Sequence, residues 1–151
     1  VIGLGIDQGA RHAGWCRLDL TKRPKLIDCG TCAPEQIAEL SSDGVDLVAI
    51  EKPAGRVIEG RSGEYLIEAA WNGGDSRRLF VERGCNVVTV SHSQWVTALI
   101  GAFQRGKQDA LVKEAILRLV EDWQAKSSTH ARDAAGVLVI GARIWQRRRV
   151  A

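Results

Sequence analysis

The chain has no apolar run approaching the roughly 20 residues that a membrane-spanning helix requires, so no bilayer segment is expected. Its N-terminal apolar stretch, VIGLGI, has no basic region ahead of it and is broken at once by Asp7. It does not read as a signal peptide, and the expected compartment is the cytoplasm, the host's if the chain is viral. Cysteine is scarce. There are 4 in 151 residues, and although Cys29 and Cys32 form CGTC, no second CxxC and no suitably spaced Cys/His pair completes a zinc site. Reduced thiols are expected rather than a disulfide framework. Internal repeats and low-complexity segments are also missing, and a composition of 45% apolar and 26% charged residues argues against disorder. At this length one domain spanning 1–151 is expected, burying roughly 70% of the surface that the unfolded chain exposes.

Charge of one sign does not dominate either, since the formal net charge is only +3. The basic residues are uneven, however, with Arg143, Arg147, Arg148 and Arg149 gathered near the C-terminal end. Two readings stand: a positive field for holding a polyanion, doubled in a dimer, or a solvated helix end favoured by the helix dipole. Trp15, Trp71, Trp95, Trp123 and Trp145 sit singly among apolar neighbours, which suits core or interface packing better than base stacking.

Along the chain, residues 1–7, 13–20 and 25–31 are short apolar or alternating runs joined by turn-rich connections, the pattern of an antiparallel meander. Pro34 opens a helix whose buried side is Ile37, Ala38 and Leu40, stopped by Asp43-Gly44. A strand ending at Glu51 follows, then a connection marked by Pro53, Gly55, Gly60 and Gly63. Residues 64–83 have a helical pattern interrupted by Trp71-Asn72-Gly73-Gly74, which predicts either a break or a close helix–helix approach. Residues 85–90 form another strand. Leu111, Val112, Ala115, Ile116, Leu119 and Val120 repeat with helical spacing, and a last helix runs from an N-cap at Thr129 to about residue 147.

Two acids stand directly after apolar strands: Asp7 after VIGLGI and Glu51 after VDLVAI. A carboxylate just past a strand's C-terminal end projects into the crevice where open α/β sheets bind ligands. A third acid, Asp133, shares a face of the last helix with His130, three residues earlier. Carboxylates so gathered repel one another, and Mg²⁺, a hard cation that takes oxygen ligands and shares its remaining positions with phosphate, relieves the repulsion. Distant segments assembled in this way suit a metal-dependent nuclease. Taken singly, each acid also reads as an ordinary strand end, and His130 as a local helix cap.

The flanking residues resemble a known family. GLGIDQGARHAGWC (3–16) is similar to the opening of RuvC-type Holliday junction resolvases, VAIEKP (48–53) to their second acidic strand, and HARDAAGVLVIGA (130–142) to their closing acidic helix. LIGAFQRGKQDALVKEAI (99–116) resembles the segment that carries a lysine near the scissile phosphate. Together these cover nearly the whole chain, and four pieces in one order are more specific than any single piece. The resemblance implies an α/β RNase H-like fold, a mixed β-sheet flanked by α-helices. It also implies a homodimer paired through the 64–83 helix, branched DNA in the form of a four-way junction as partner, and a role in DNA recombination and repair.

By the same resemblance, Asp7, Glu51, His130 and Asp133 are metal ligands for two Mg²⁺ ions, with Mn²⁺ able to substitute. Asp7 bridges the ions, and His130, at a position where the family has an acid or a histidine, either ligates metal or orients the water. The reaction implied is phosphodiester hydrolysis by paired symmetric nicks, leaving 5′-phosphate and 3′-hydroxyl ends. Lys107 steadies charge on the phosphate; its plainer reading is a solvated lysine in the polar turn QRGKQD. Arg56 and Arg61 grip DNA from the 53–63 connection. That connection lacks the aromatic wedge common in the family, leaving Val57 and Ile58 as its apolar residues, and Gln8 replaces the proline usual after the first acid. His12 and His92 are read as structural or solvent-exposed. Two rivals remain: a junction-binding protein without catalysis, and a small ATPase-like fragment sharing the GIDQG opening.

Overall fold

Alternation along the strands decides which residues face one another. The computed structural model describes residues 1–40, 43–52, 63–102, 106–124 and 127–150. Five strands, β1 (Ile2–Gln8), β2 (Ala13–Asp19), β3 (Lys25–Cys32), β4 (Leu47–Lys52) and β5 (Asn86–Ser91), form one sheet in the order β3-β2-β1-β4-β5. The meander β1-β2-β3 is antiparallel, as the short turns between its strands require, while β1-β4 and β4-β5 pair in parallel. With a side-chain period of two, Gly3, Gly5 and Asp7 point to one face of β1, and Leu47, Ala49 and Glu51 to the same face of β4. The parallel register Gly5↔Ala49 and Ile6↔Ile50 carries Asp7 and Glu51 to neighbouring strand ends.

Among the described residues four α-helices complete the fold: α1 (Gly63–Glu82), α2 (His92–Ile100), α3 (Gln108–Leu119) and α4 (Thr129–Val150). Helix α4 lies across the face that carries the acids, with α2 and α3 beside it, and Trp95, Val112, Ile116 and Leu138 fill the joint core. On the opposite face Leu4, Ile6, Val48 and Ile50 pack with Ile37 and Phe80, the latter from α1. Full burial of each such side chain stabilises the fold by about 1.5–3 kcal/mol.

The first turns of α4 sit close to the sheet because two strand positions beneath them, Gly5 and Gly14, lack side chains. A Cβ on Gly5 would stand 2.1 Å from the Ala134 carbonyl oxygen, and one on Gly14 would stand 2.2 Å from the His130 backbone. The glycines of the GLGIDQG opening thus let the first turns of α4 rest on β1 and β2, which brings His130 and Asp133 to the acids.

Several expectations are corrected. Helix α1 is continuous through Trp71-Asn72-Gly73-Gly74. Asn72 reaches the Gly9 carbonyl at 3.4 Å, and Ser76, one turn on, donates to Gln8 Oε1 at 3.0 Å, so contact with the turn after β1 outweighs a glycine cost of about 1 kcal/mol each. The segment opened by Pro34 is a 3-10 helix, Pro34–Glu39, in which Ile37 is buried but Ala38 is exposed. The cap of α4 is Ser128, whose hydroxyl accepts from the Ala131 N–H at 3.1 Å, and Thr129 is already helical. Helix α2 had not been foreseen; Ser91 and Gln94 form its capping box. Cys29 packs toward the α4 side and Cys32 toward the other, so CGTC is split across the sheet, and all four thiols are free. No described helix is long and apolar enough to cross a membrane.

Candidate functional site

Three acids meet where β1, β4 and α4 converge, and each is held by a basic side chain. Asp7 Oδ2 lies 2.8 Å from His130 Nδ1, and Glu51 Oε1 lies 2.9 Å from His92 Nδ1. Asp133 Oδ1 accepts from Arg132 Nε at 3.1 Å and from Nη2 at 2.9 Å. The carboxylates are nearly enclosed, Asp7 at 15% and Glu51 at 13% side-chain exposure, whereas His92 and His130 are about half open to solvent.

The electrostatics follow from that enclosure. Burial pushes Glu51 up to about 7, opposed by its bond to His92 and reinforced by the Asp7 charge. Burial likewise raises Asp133, against the pull of Arg132, with Asp7 adding to the rise. The Glu51 hydrogen bond raises His92, against its burial, and the charges of Glu51, Asp133 and Asp7 add to the rise. These groups form one electrostatic unit in which no acid's charge is independent of its neighbours.

Of the residues singled out in the sequence, the structure brings together Asp7, Glu51, His130 and Asp133. His130 turns its Nδ1 to Asp7. Lys107 is exposed at the N-cap of α3, and the next residue, Gln108, reaches His92. Arg56 and Arg61, with Val57 and Ile58, lie outside the described residues. His12 is exposed.

His92 is the correction that matters most: it is part of the site. Its signal was available, because His92 directly follows β5 just as Glu51 ends the apolar run of the adjoining parallel strand, and the crevice rule applies to both. Arg132 and Asp109 were also missed. Arg132 is buried and bridges Asp133 to Asp109 Oδ1, 2.6 Å away. A cavity of about 290 Å³ opens beside them, lined by Trp95, Gln108, Asp109, Arg132 and Asp133 among others.

As a donor set, three mutually repelling carboxylates beside an imidazole suit a hard divalent cation. The raised Glu51 is the observation that fits, since burial, with the Asp7 charge beside it, holds its proton, and a nearby cation would offset both. Among the described residues, no three His, Cys, Asp or Glu side chains already form a ligating cluster; the acids are turned instead to His130, His92 and Arg132.

A mixed sheet with an antiparallel meander, two parallel additions and a long helix over the acid-bearing face defines the RNase H-like fold. Solved structures agree over almost the whole chain. Thermus thermophilus RuvC superposes with a TM-score of 0.73 at 19% identity, covering 98% of this chain and 97% of that one. The same protein in complex with a Holliday junction substrate gives 0.69 at 16%, covering 97% and 96%. The fowlpox virus Holliday junction resolvase gives 0.57 at 14%, covering 98% and 99%. At such identities the likeness is one of fold. No protein-family model and no curated protein sequence matches the chain.

Proposed function

We propose that this chain is a RuvC-type nuclease domain spanning 1–151, a metal-dependent endonuclease that resolves four-way DNA junctions by paired symmetric nicks. The observation that carries this reading is the convergence of Asp7, Glu51 and Asp133 on one face of an RNase H-like sheet, with Glu51 held near 7 by burial and by Asp7. Similarity of fold to resolvases, one of them solved on junction DNA, supports the substrate class. Its place of action is the cytoplasm.

Asp7, Glu51 and Asp133 supply the oxygen ligands and His130 a nitrogen for two Mg²⁺ ions, with Mn²⁺ substituting. When bound, such ions supply an activated water and a clamp on the departing 3′ oxygen, giving 5′-phosphate and 3′-hydroxyl ends. The chain's own groups do the rest. The walls around the acids limit water, Lys107, next to Gln108 at the start of α3, meets a phosphate oxygen, and Arg56 and Arg61 hold the strands at the branch.

Two nicks require two sites. Helix α1 leaves Ile67, Trp71 and Val81 exposed at 54%, 72% and 49%, and their spacing puts them within one face of the helix. An aromatic anchor in an uncovered apolar stripe suits an isologous interface, and we assign the homodimer contact there.

Asp7→Asn separates binding from incision. It abolishes cutting in Mg²⁺ but leaves metal-free junction affinity in a gel shift within about threefold, because affinity comes mainly from phosphate contacts. A variant that cuts at the parental rate removes Asp7 from the site.

A further inference from the structure

The partners of Glu51 and Asp133 are themselves held, and by adjacent residues. Gln108 Nε2 lies 3.2 Å from His92 Nε2, and Asp109 Oδ1 lies 2.6 Å from Arg132 Nη2. Both belong to the first turn of α3, immediately after Lys107. We propose that this turn orients two of the site's acids: Gln108 sets Glu51 through His92, and Asp109 sets Asp133 through Arg132. The inference rests on the reading of Glu51 and Asp133 as metal ligands.

The first relay fixes a tautomer. With the Gln108 amide nitrogen turned to the ring, Nε2 is the acceptor and the neutral imidazole carries its proton on Nδ1, which is the arrangement the proposal assigns. Nδ1–H then donates to Glu51 Oε1 at 2.9 Å. The ring cannot easily turn away, because it stands edge-on to Trp95 with centroids 5.2 Å apart and planes at 81°. Gln108 keeps this bond at a cost, since its Oε1 is buried with no partner among the described residues. A leucine would fill the same space without that penalty, so packing alone does not explain an amide here.

The second relay fixes a guanidinium. Arg132 spends both of its bonds to Asp133 on Oδ1, and its side chain is only 8% exposed. Asp109 Oδ1 accepts from the same Nη2 that donates to Asp133, so one nitrogen of the planar group ties the two carboxylates together. Carboxylates that must meet a cation are commonly oriented by such outer partners, and loss of one typically weakens metal affinity 10- to 100-fold. Gln108, His92, Arg132 and Asp109 are thus positioning residues. Because Lys107 precedes Gln108, the lysine that meets the phosphate and the acids that hold metal are registered to one turn of helix.

The test uses the full chain and two readouts other than cleavage. In the metal-free protein at pH 8, long-range ¹H–¹⁵N correlation of the imidazoles should show His92 protonated at Nδ1, and Gln108→Leu should turn this into a tautomer mixture. Mn²⁺ affinity, followed by loss of the free-ion EPR signal, should fall about tenfold in Gln108→Leu and in Asp109→Ala. His92→Asn places an amide nitrogen near the Nδ1 position and should keep affinity within about threefold, whereas His92→Gln places it near Nε2 and should lose about tenfold. Thermal melts identify any variant that fails to fold, and the remaining variants then decide. An unchanged His92 tautomer with unchanged Mn²⁺ affinity in Gln108→Leu overturns the proposal. If the parental protein binds no Mn²⁺, the metal reading falls, and the imidazole spectra still decide whether Gln108 sets His92.

Discussion

The two faces of the sheet are built from different materials. Beneath the first turns of α4 the strands offer Gly5 and Gly14, so that helix backbone meets strand directly, while Leu18 and Leu47 pack farther along the same face. Beneath α1 they offer Leu4, Ile6, Val48 and Ile50, and large side chains fill the gap. The second face is a cushion that relaxes around a change of volume; the first is a fixed contact with no room to give. Three acids from three separate elements are brought within reach of one another on the fixed face, and the proposed metal site needs its ligands held that tightly.

The sharpest way to break this contrast is to add volume to one face and remove it from the other. Gly5→Val drives side-chain carbon into the Ala134 backbone and should lift the start of α4 off the sheet, abolishing incision and costing about 3 kcal/mol or more. Ile50→Val, one residue before Glu51 but facing the cushion, should cost about 1 kcal/mol and leave the incision rate within about twofold. Urea melts and single-turnover cleavage, run side by side, check both. Equal effects on activity would mean that the close contact does not hold the site.

Lys107→Ala ranks next. It should slow the chemical step by about 10² to 10³ while changing junction affinity modestly, since one preorganised charge donor is lost from the reaction and only one phosphate contact from binding. Equal losses in both would move Lys107 to the DNA-holding surface.

A smaller effect comes from Glu51, whose sign is set by its raised value. Its folded value of about 7 exceeds its ordinary 4.5, so the protonated acid contributes stability that is complete below about 4.5 and lost as pH rises through 7. In the metal-free protein Glu51→Gln should therefore raise stability at pH 8 by about 1–3 kcal/mol and add little at pH 4. Chemical denaturation at the two pH values measures the difference. Metal competes with that same proton, so parental Mn²⁺ affinity should weaken as pH falls below 7.

How much of this was legible in the sequence follows the same division. The strand-ending acids and the glycine-spaced opening were readable because period-two alternation is local, and the meander followed from short turns. Of the two readings of Trp71-Asn72-Gly73-Gly74, the break fails, because propensity carries no knowledge of Asn72 and Ser76 bonding to the turn after β1; the close helix–helix approach is the reading that the proposed dimer contact takes up. His92 was legible only in part: its place directly after a strand is local, but the strand order that puts the end of β5 beside Glu51 is not. Arg132 could not be singled out in the sequence, because its burial between Asp133 and Asp109 exists only once α3 has packed against α4.

The most direct measurement labels each strand of a four-way junction in turn, cuts it in Mg²⁺ beside linear duplex of the same sequence, and sizes the products on a denaturing gel. The account predicts nicks at symmetric positions on two opposed strands, sealable by ligase, with the linear duplex nearly untouched. Comparable cutting of the linear duplex, or tight junction binding with no cutting in any divalent metal, would contradict it.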